Sequence, residues 1–445
     1  MRLGLTRSVT TVAAIAMLMS ATCLPNGAWS EVGAEPGTSR LYMFPQNDTD
    51  RLDVHVFVPY RSEVPGLAHY VEHLAWHSAT KDWVRQGLGR TGAWANAHTM
   101  HYWISARNGN VDELVGTIRG VFKPIALSER FALTEREIIL REYRQREIEN
   151  PLNQLLEETN VELYSGNPVA VPVLGNPKDI EALDLSQARK LHSDTHLVSS
   201  AAFLVYGNVS ESAALRALGM MGLQANAGDA AAIRRPKIGP FSSERIVVHL
   251  ADDDPASHVL WRRVVRLKEE TPYEVLASRA GLLGLILRAN RPGGLAKALQ
   301  FDQAVARSLR LWLHVIDDQH VELSFQGHPD QGVTLPELVE AFERALVQTA
   351  RSGIPRKTHE KVVGQHVRQW PDWEDEAEVS KYMKALAIER LSEWRQPPDV
   401  ETVRNLHGQL ELSKIDGLLR QLSGDGRTVV AFIGREGAAE GALQP

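Results

Sequence analysis

Hydrophobic and polar residues follow two periods along this chain. Alternation at 53–58 predicts a strand, whereas the period of three to four residues at 111–122 predicts an amphipathic helix. The segment 66–77 also has helical character, and Pro65 stands just before it, where proline is tolerated. Similar patterns predict further strands at 41–43, 95–106 and 201–206 and further helices at 151–164 and 185–196.

One further helix is expected to begin at a recognisable capping motif. Thr134 is a good N-cap residue, and Glu137 stands three residues later, as in a capping box. Leu133 and Ile138 can pack against each other across this turn. We therefore predict a helix from Thr134 to about Glu149.

The second half of the chain repeats this mixture of elements. The stretch 226–243 is rich in alanine, glycine and proline and is the best linker candidate, so we predict domains at 31–225 and 244–445. Each domain ends with a helix, an apolar strand and a glycine, Gly207 in the first and Gly434 in the second. This order favours an α+β fold of two duplicated domains. The predicted elements of the second half are a strand at 245–250, a hairpin of 309–315 with 320–325, and helices at 273–289, 335–351, 358–369 and 377–393.

Composition and the N-terminus limit the possible partners of the protein and indicate its compartment. The 445 residues carry a net charge of −6, which gives no electrostatic footprint for nucleic acid. Residues 1–30 have basic, then apolar, then small residues and predict a secretory signal peptide; an uncleaved anchor helix is the alternative. The single cysteine, Cys23, lies within this segment, so a disulfide scaffold is excluded. We expect a periplasmic or secreted protein without stable membrane insertion after cleavage.

The segment that carries chemistry lies in the helix predicted over 66–77. His69 and His73 are one helical turn apart, and Glu72 lies between them on the same side. Two imidazoles at this spacing can hold one zinc ion, and a neighbouring carboxylate can exchange a proton with water. His77 forms a rival pair with His73, but no acid stands between them, so we place His77 at the helix end or behind the ligands. The alternative is a surface helix that carries histidines by chance.

A catalytic zinc ion needs a third protein ligand. Glu142 shares an apolar stripe with Glu135, Ile138 and Ile139 on the next capped helix. A carboxylate on an apolar face is costly unless it is paired or bound to a metal. We favour Glu142 as the third ligand, with a buried salt bridge as the alternative.

Together these motifs resemble the pitrilysin/insulinase family of zinc peptidases, which carry H-x-x-E-H. The resemblance covers about 39–436. It implies that His69, His73 and Glu142 hold Zn²⁺, that Glu72 is the catalytic base and then acid, and that Glu135 orients the ligands from behind. The segment around Asn96 and Ala97 is similar to the family's active-site edge strand and is expected to bind substrate. The implied fold is half of a clamshell, in which each domain has a mostly antiparallel sheet with helices on one side.

One departure from the family concerns the second half of the chain. Complete family sites include an Arg-Tyr pair that holds the substrate, and the equivalent stretch 295–302 lacks it. The resemblance therefore implies the zinc-bearing subunit of a two-chain endopeptidase that acts on peptides or unfolded segments. Its partner would be a homologous subunit, in a heterodimer or a homodimer. The alternatives are a non-catalytic structural subunit of the same family and a secreted binding protein.

Overall fold

A computed structural model describes residues 30–32, 40–46, 49–86, 89–107, 110–149, 151–219, 239, 241–251 and 257–434. The predicted signal peptide at 1–30 lies outside the described residues apart from Ser30, and so does most of the predicted linker at 226–243. These two assignments, and the domain boundaries that depend on them, remain predictions.

The first half of the chain forms a six-stranded mixed sheet. Its strands are β1 (Ser30–Val32), β2 (Arg40–Pro45), β3 (Arg51–Pro59), β4 (Arg90–Ala95), β5 (Thr99–Arg107) and β6 (Ala202–Gly207). They lie in the order β1-β2-β6-β3-β5-β4, and only β2 and β6 pair in parallel. Among the described strands, β4 therefore forms one edge of the sheet.

The second half repeats this topology with five strands. They are β7 (Arg245–Ala251), β8 (His258–Arg266), β9 (Ala306–Val315), β10 (His320–Pro329) and β11 (Arg427–Gly434). The order β7-β11-β8-β10-β9 matches β2-β6-β3-β5-β4 strand for strand. The parallel pair β7 and β11 corresponds to the parallel pair β2 and β6. The predicted α+β class and duplication are confirmed.

Most helices of each half cover one face of that half's own sheet. In the first half, buried apolar side chains of α1 (Leu67–Gln86) and α2 (Val111–Ile118) pack onto this face. No helix within the described ranges is both long and apolar enough to cross a membrane. The helices are α1 (Leu67–Gln86), α2 (Val111–Ile118), α3 (Glu129–Glu149), α4 (Pro151–Leu163), α5 (Pro177–Ala182), α6 (Leu185–Thr195), α7 (Glu211–Gly219), α8 (Tyr273–Arg288), α9 (Leu335–Ser352), α10 (Arg356–Val367), α11 (Glu376–Ser392), α12 (Val400–Asn405) and α13 (Leu412–Leu422).

The structure corrects several predicted element boundaries: α1 extends to Gln86 rather than ending near His77, and α2 ends at Ile118. Helix α3 begins at Glu129, where the Ser128 hydroxyl accepts the Phe131 N–H, and Thr134 instead donates to the carbonyl of the fourth residue before it. A threonine inside a helix can satisfy its hydroxyl in this way, so a capping motif alone does not locate the start. The strand predicted at 95–106 is divided between β4 and β5, because the Asn96 side chain accepts backbone N–H groups and closes a turn.

The two halves are joined by an exchange of helices. On the face of the first sheet opposite α1, Phe57 and Leu204 pack against Met383 and Leu391 of α11. Helix α4 of the first half covers the corresponding face of the second sheet, where Leu155 meets Leu260 and Ala431. Part of each sheet is therefore covered by helices on both faces, and α4 begins two residues after the end of the helix that carries Glu142.

Candidate metal site

Helix α1 directs one polar face toward the edge of the first sheet. Leu67, Val71 and Leu74 are buried in the core, so the side chains of the H-x-x-E-H motif point away from it. Gly66 precedes the helix with φ +75°, and a Cβ atom there would lie 2.8 Å from the Leu174 carbonyl oxygen. This close approach requires glycine and fixes the start of α1 against the loop before α5.

Glu142 lies beside both imidazoles of the motif, with one carboxylate oxygen near each. His69 Nε2 lies 3.6 Å and His73 Nε2 lies 3.7 Å from the two carboxylate oxygens of Glu142. Both distances are too long for a hydrogen bond. Ligand atoms about 2.1 Å from a tetrahedral zinc ion lie about 3.4 Å apart. Two imidazoles and a carboxylate therefore form a donor set that fits zinc.

Glu72 lies beside this set and is itself deeply buried. Its side chain is 5% exposed, and its Oε2 atom is 3.8 Å from His69 Nε2. His69, Glu72 and His73 offer atoms close enough to hold an ion. Geometry therefore places the carboxylate where it can act on a molecule bound next to the two imidazoles.

Glu135 lies behind the site and contacts two histidines. Its Oε2 atom accepts from His73 Nδ1 at 3.2 Å and lies 3.3 Å from His77 Nε2. A proton held on His73 Nδ1 leaves Nε2 as the metal-facing nitrogen. Burial opposes the charge of Glu135, but its hydrogen bonds with both histidines prevail and lower its pKa to about 2. Burial acts to lower the pKa of His73. Its hydrogen bond to Glu135 and the charges of the nearby carboxylates outweigh burial, so the pKa of His73 is raised.

The structure shows where His77 lies in α1 and which residue it contacts. Because α1 continues to Gln86, His77 stands in mid-helix rather than at the helix end. The i, i+4 spacing from His73 was the signal that both imidazoles face the same neighbour. That neighbour is Glu135, whose link to His77 required knowledge of how α3 packs on α1.

A cleft of about 370 Å³ opens beside these residues. Its walls are Ala93, Trp94 and Ala95 of the edge strand β4 and, across the cleft, Val173 and Leu174. The strand β4 thus runs past the candidate metal site and ends at Ala95, one residue before Asn96. The sequence did not identify Trp94 as a site residue, although it lies only two residues before Asn96.

Asn96 and Ala97 stand just beyond this strand. The Asn96 side chain accepts from the N–H groups of His98 and Thr99 and donates to the Ser392 carbonyl at 3.0 Å. It therefore shapes the turn and ties it to α11. Ala97 lines a neighbouring recess together with Gly66. The predicted substrate contacts of Asn96 and Ala97 remain predictions.

The second half has a helix equivalent to α1, but this helix lacks the histidines of the H-x-x-E-H motif. Helix α8 follows β8 as α1 follows β3, but its sequence contains no histidine. Both groups of metal-type side chains found among the described residues lie around α1. The stretch 295–302, where the family's Arg-Tyr pair is missing, includes a π-helix over Lys297–Asp302 with Phe301 exposed.

Comparisons with known sequences give partial matches. No family model matches the chain. The mitochondrial-processing peptidase subunit beta of Neurospora crassa is 30% identical over 134 residues, 28% of this chain and 28% of that protein. The zinc protease PqqE of Helicobacter pylori is 28% identical over 179 residues, 37% of this chain and 40% of that protein. An uncharacterized zinc protease of Rickettsia bellii is 23% identical over 182 residues, 39% and 44% of the two chains. The chain thus matches less than half the length of these curated relatives.

Comparisons with solved structures extend over nearly the whole chain. A protease from Helicobacter pylori has a TM-score of 0.74 at 18% identity and covers 92% of this chain and 100% of its own. The periplasmic protease PqqL from Escherichia coli has a TM-score of 0.74 at 15% identity, over 95% of this chain and 49% of its own. An inactive peptidase domain from Pseudomonas fluorescens has a TM-score of 0.71 at 11% identity, over 94% and 99%. At such identities the likeness establishes the fold.

The fold and the site together define a half-clamshell α+β protein with an H-x-x-E-H helix. The comparisons confirm that the chain resembles the pitrilysin/insulinase family of zinc metallopeptidases. The names of its relatives support a peptidase-type function and imply zinc in the family.

Proposed function

We propose that this chain is the zinc-bearing subunit of a metalloendopeptidase that acts on peptides or unfolded segments in the periplasm. The observation that carries the proposal is the convergence of His69, His73 and Glu142, with nitrogen-to-oxygen distances of 3.6 and 3.7 Å. The zinc proteases among its relatives support the same chemistry. The basic and apolar residues at 1–30 support export.

His69, His73 and Glu142 would hold the ion, and Glu135 would hold His73 in the required orientation. When bound, zinc supplies Lewis-acid activation of water and of the peptide carbonyl group. Glu72 accepts a proton from the attacking water and then returns it to the leaving amine. Its buried position beside His69 keeps this carboxylate close to the reacting atoms.

The edge strand β4 would hold the substrate. An extended peptide can add to a sheet edge through main-chain hydrogen bonds. Glu72 and Ala93–Ala95 line the same cleft, which supports this path for the peptide. Asn96 and Ala97 would contact the same peptide at the end of this strand.

A homologous partner subunit is part of the proposal. The stretch 295–302 lacks the Arg-Tyr pair that the family resemblance calls for. One relative is named as a subunit, and this chain matches 49% of the length of PqqL. We therefore propose a second chain of similar fold, in a heterodimer or a homodimer, that closes over the cleft.

Metal content tests the first part of the proposal. The purified chain should bind about one zinc ion, and Glu142→Gln should weaken zinc binding strongly because a neutral amide is a poorer ligand. Glu137→Gln is the matched control, since Glu137 lies on the same helix and is exposed. Equal zinc retention by both variants would show that Glu142 is not a ligand.

Turnover tests the role of Glu72. Glu72→Gln should retain zinc and lose about 100-fold or more of the peptidase activity, because proton transfer is deleted. Loss of zinc from this variant would instead make Glu72 a ligand. Full turnover would move the activity to another site.

The partner is tested with quenched fluorescent peptides. The isolated chain should cleave them slowly, because a missing oxyanion donor typically costs about 10²–10³ in rate. A homologous subunit with the Arg-Tyr pair should restore turnover and binding together. Rapid cleavage by the monodisperse chain, unchanged by any partner, would contradict the two-chain proposal.

A non-catalytic structural subunit is the second candidate. The match to an inactive peptidase domain shows that this fold also occurs without activity. A chain that binds no zinc and cleaves no peptide with any homologous partner would favour this alternative.

A further inference from the structure

An aromatic surface lies beside β4 on the sheet face opposite α1. Trp94 and Trp103 are both partly exposed there. His101 is buried on the same face, and the Trp94 ring is edge-on to it with 5.0 Å between the ring centroids. Trp94 is paired with His101, and Trp103 is paired with Gly92, in the β4–β5 register. We call the pair Trp94 and Trp103 the indole ledge.

Gly92 allows the ledge to reach the open edge of the sheet. A Cβ atom at Gly92 would lie 2.5 Å from Trp103 Nε1, so the indole lies directly over the glycine. Trp103 belongs to β5, the strand next to the edge, and its side chain extends across the edge strand β4. Neighbouring strands lie about 4.8 Å apart, so this indole ends within reach of a strand added to β4.

The layer beneath the ledge is packed and predominantly uncharged. His55 Nδ1 and His101 Nε2 are hydrogen-bonded at 3.0 Å, and one of the two nitrogens must be an unprotonated acceptor. The His101 ring stacks on Phe57 at 4.2 Å. Burial lowers the pKa of both histidines. The ledge therefore rests on a layer of stacked rings and presents apolar surface.

We propose that the indole ledge is a subsite that selects large apolar or aromatic side chains at two alternate positions of the substrate peptide. This inference rests on the proposed function, in which a peptide adds to β4. Side chains along an added strand alternate between the faces of the sheet. Ala93 and Ala95 pack on the α1 side, whereas Gly92 and Trp94 face the other way.

The alternation divides the substrate into two sets of positions. A substrate residue opposite Ala93 lies on the side of the candidate metal site. The residues before and after it face the ledge, one beside Trp94 and one against the Trp103 indole over Gly92. Aromatic side chains gain from edge-on or offset contacts with indole rings, in addition to the buried area. The ledge thus contacts the two substrate residues that flank the one nearest the metal site.

Binding to a non-cleaving variant gives the most direct test. Fluorescein-labelled decapeptides of alanine and serine, which carry Phe-x-Phe, Ser-x-Ser or Asp-x-Asp at their centre, are titrated into the Glu72→Gln protein. Phe-x-Phe should bind about tenfold or more tightly than Ser-x-Ser, since two aromatic contacts are gained. Asp-x-Asp should bind no better than Ser-x-Ser.

Variants of the ledge should remove this preference. Trp94→Ala and Trp103→Leu, each added to Glu72→Gln, should each reduce the Phe-x-Phe preference several-fold while Ser-x-Ser binding stays within about twofold. Gly92→Ala keeps both indoles but forces Trp103 aside, and it should act like Trp103→Leu. Phe301→Ser removes an exposed aromatic side chain elsewhere and should leave the preference unchanged. Melting curves identify variants that do not fold, in which case Gly92→Ala decides.

The outcomes separate the subsite from the proposed function. Peptides that bind and are cleaved without a Phe-x-Phe preference, or with one that all ledge variants retain, would overturn the subsite alone. Binding of none of the peptides, with the partner or without it, would overturn the proposed function together with the subsite. A preference that falls in the ledge variants but not in Phe301→Ser establishes the subsite.

Discussion

A buried ion pair holds the two halves of the chain together. Arg262 of β8 and Glu322 of β10 form a two-pronged contact, with Nε–Oε1 at 2.7 Å and Nη2–Oε2 at 3.0 Å. The remaining guanidinium nitrogen donates to the Leu156 carbonyl at 2.9 Å and to the Thr159 hydroxyl at 2.7 Å, both in α4. Tyr164, just after α4, donates to Glu322. The first half is thereby anchored on the second sheet.

Replacement of Glu322 by glutamine should be strongly destabilising. Burial opposes the charge of Glu322, but the Arg262 guanidinium and the hydrogen bonds prevail and hold its pKa at about 2, so it is ionised at neutral pH. Both side chains are at most 5% exposed. Glu322→Gln therefore leaves a buried cation without its counter-ion, which typically costs about 3–5 kcal/mol. For a domain of this size the melting temperature should fall by about 10 °C.

Calorimetry and hydrogen exchange can test this prediction. Glu322→Gln should lower the melting temperature and accelerate amide exchange in α4, which would lose its anchor. The exposed pair Glu340 and Arg344 is the control, since Glu340→Gln should cost less than about 0.5 kcal/mol. The double variant Arg262→Met with Glu322→Leu should be much less harmful than Glu322→Gln alone, because no charge stays buried. Glu322→Gln within about 1 kcal/mol of the parent protein would refute the reasoning.

Two further predictions concern histidines of the first sheet and of helix α1. Glu135→Gln should weaken zinc binding by about 10–100-fold in chelator competition, because His73 loses its orienting carboxylate; unchanged affinity would remove Glu135 from the site. Burial lowers the pKa of His55 from 6.5 to about 4, so the unfolded chain binds more protons between these values. Stability should therefore fall by roughly 3 kcal/mol as the pH drops from about 6.5 to 4. Urea denaturation across this range should be less pH-dependent for the double variant His55→Phe with His101→Phe, and an unchanged slope would contradict this origin.

Local spacing made part of the site predictable from the sequence. His69, Glu72 and His73 lie on one side of a helix because of the helical repeat alone, whatever the rest of the chain does. The apolar stripe that includes Glu142 follows from the same repeat in α3. The repeated order of strands and helices likewise predicted two domains of one class, since it needs only the pattern of hydrophobic residues.

The tertiary structure decided what these local patterns contact. Glu142 follows His73 by 69 residues, and only the packing of α3 on α1 brings their side chains within 4 Å. The same packing aligns Glu135 with both His73 and His77. The start of helix α3 could not be predicted from the local pattern either. The Thr134 motif was a plausible start, but the chain ahead of it could also form helix. Helical and strand periods act over neighbouring residues, whereas ligand geometry, the exchange of α4 and α11, and the reach of Trp103 over Gly92 depend on contacts between distant segments, which exist only once both sheets are assembled.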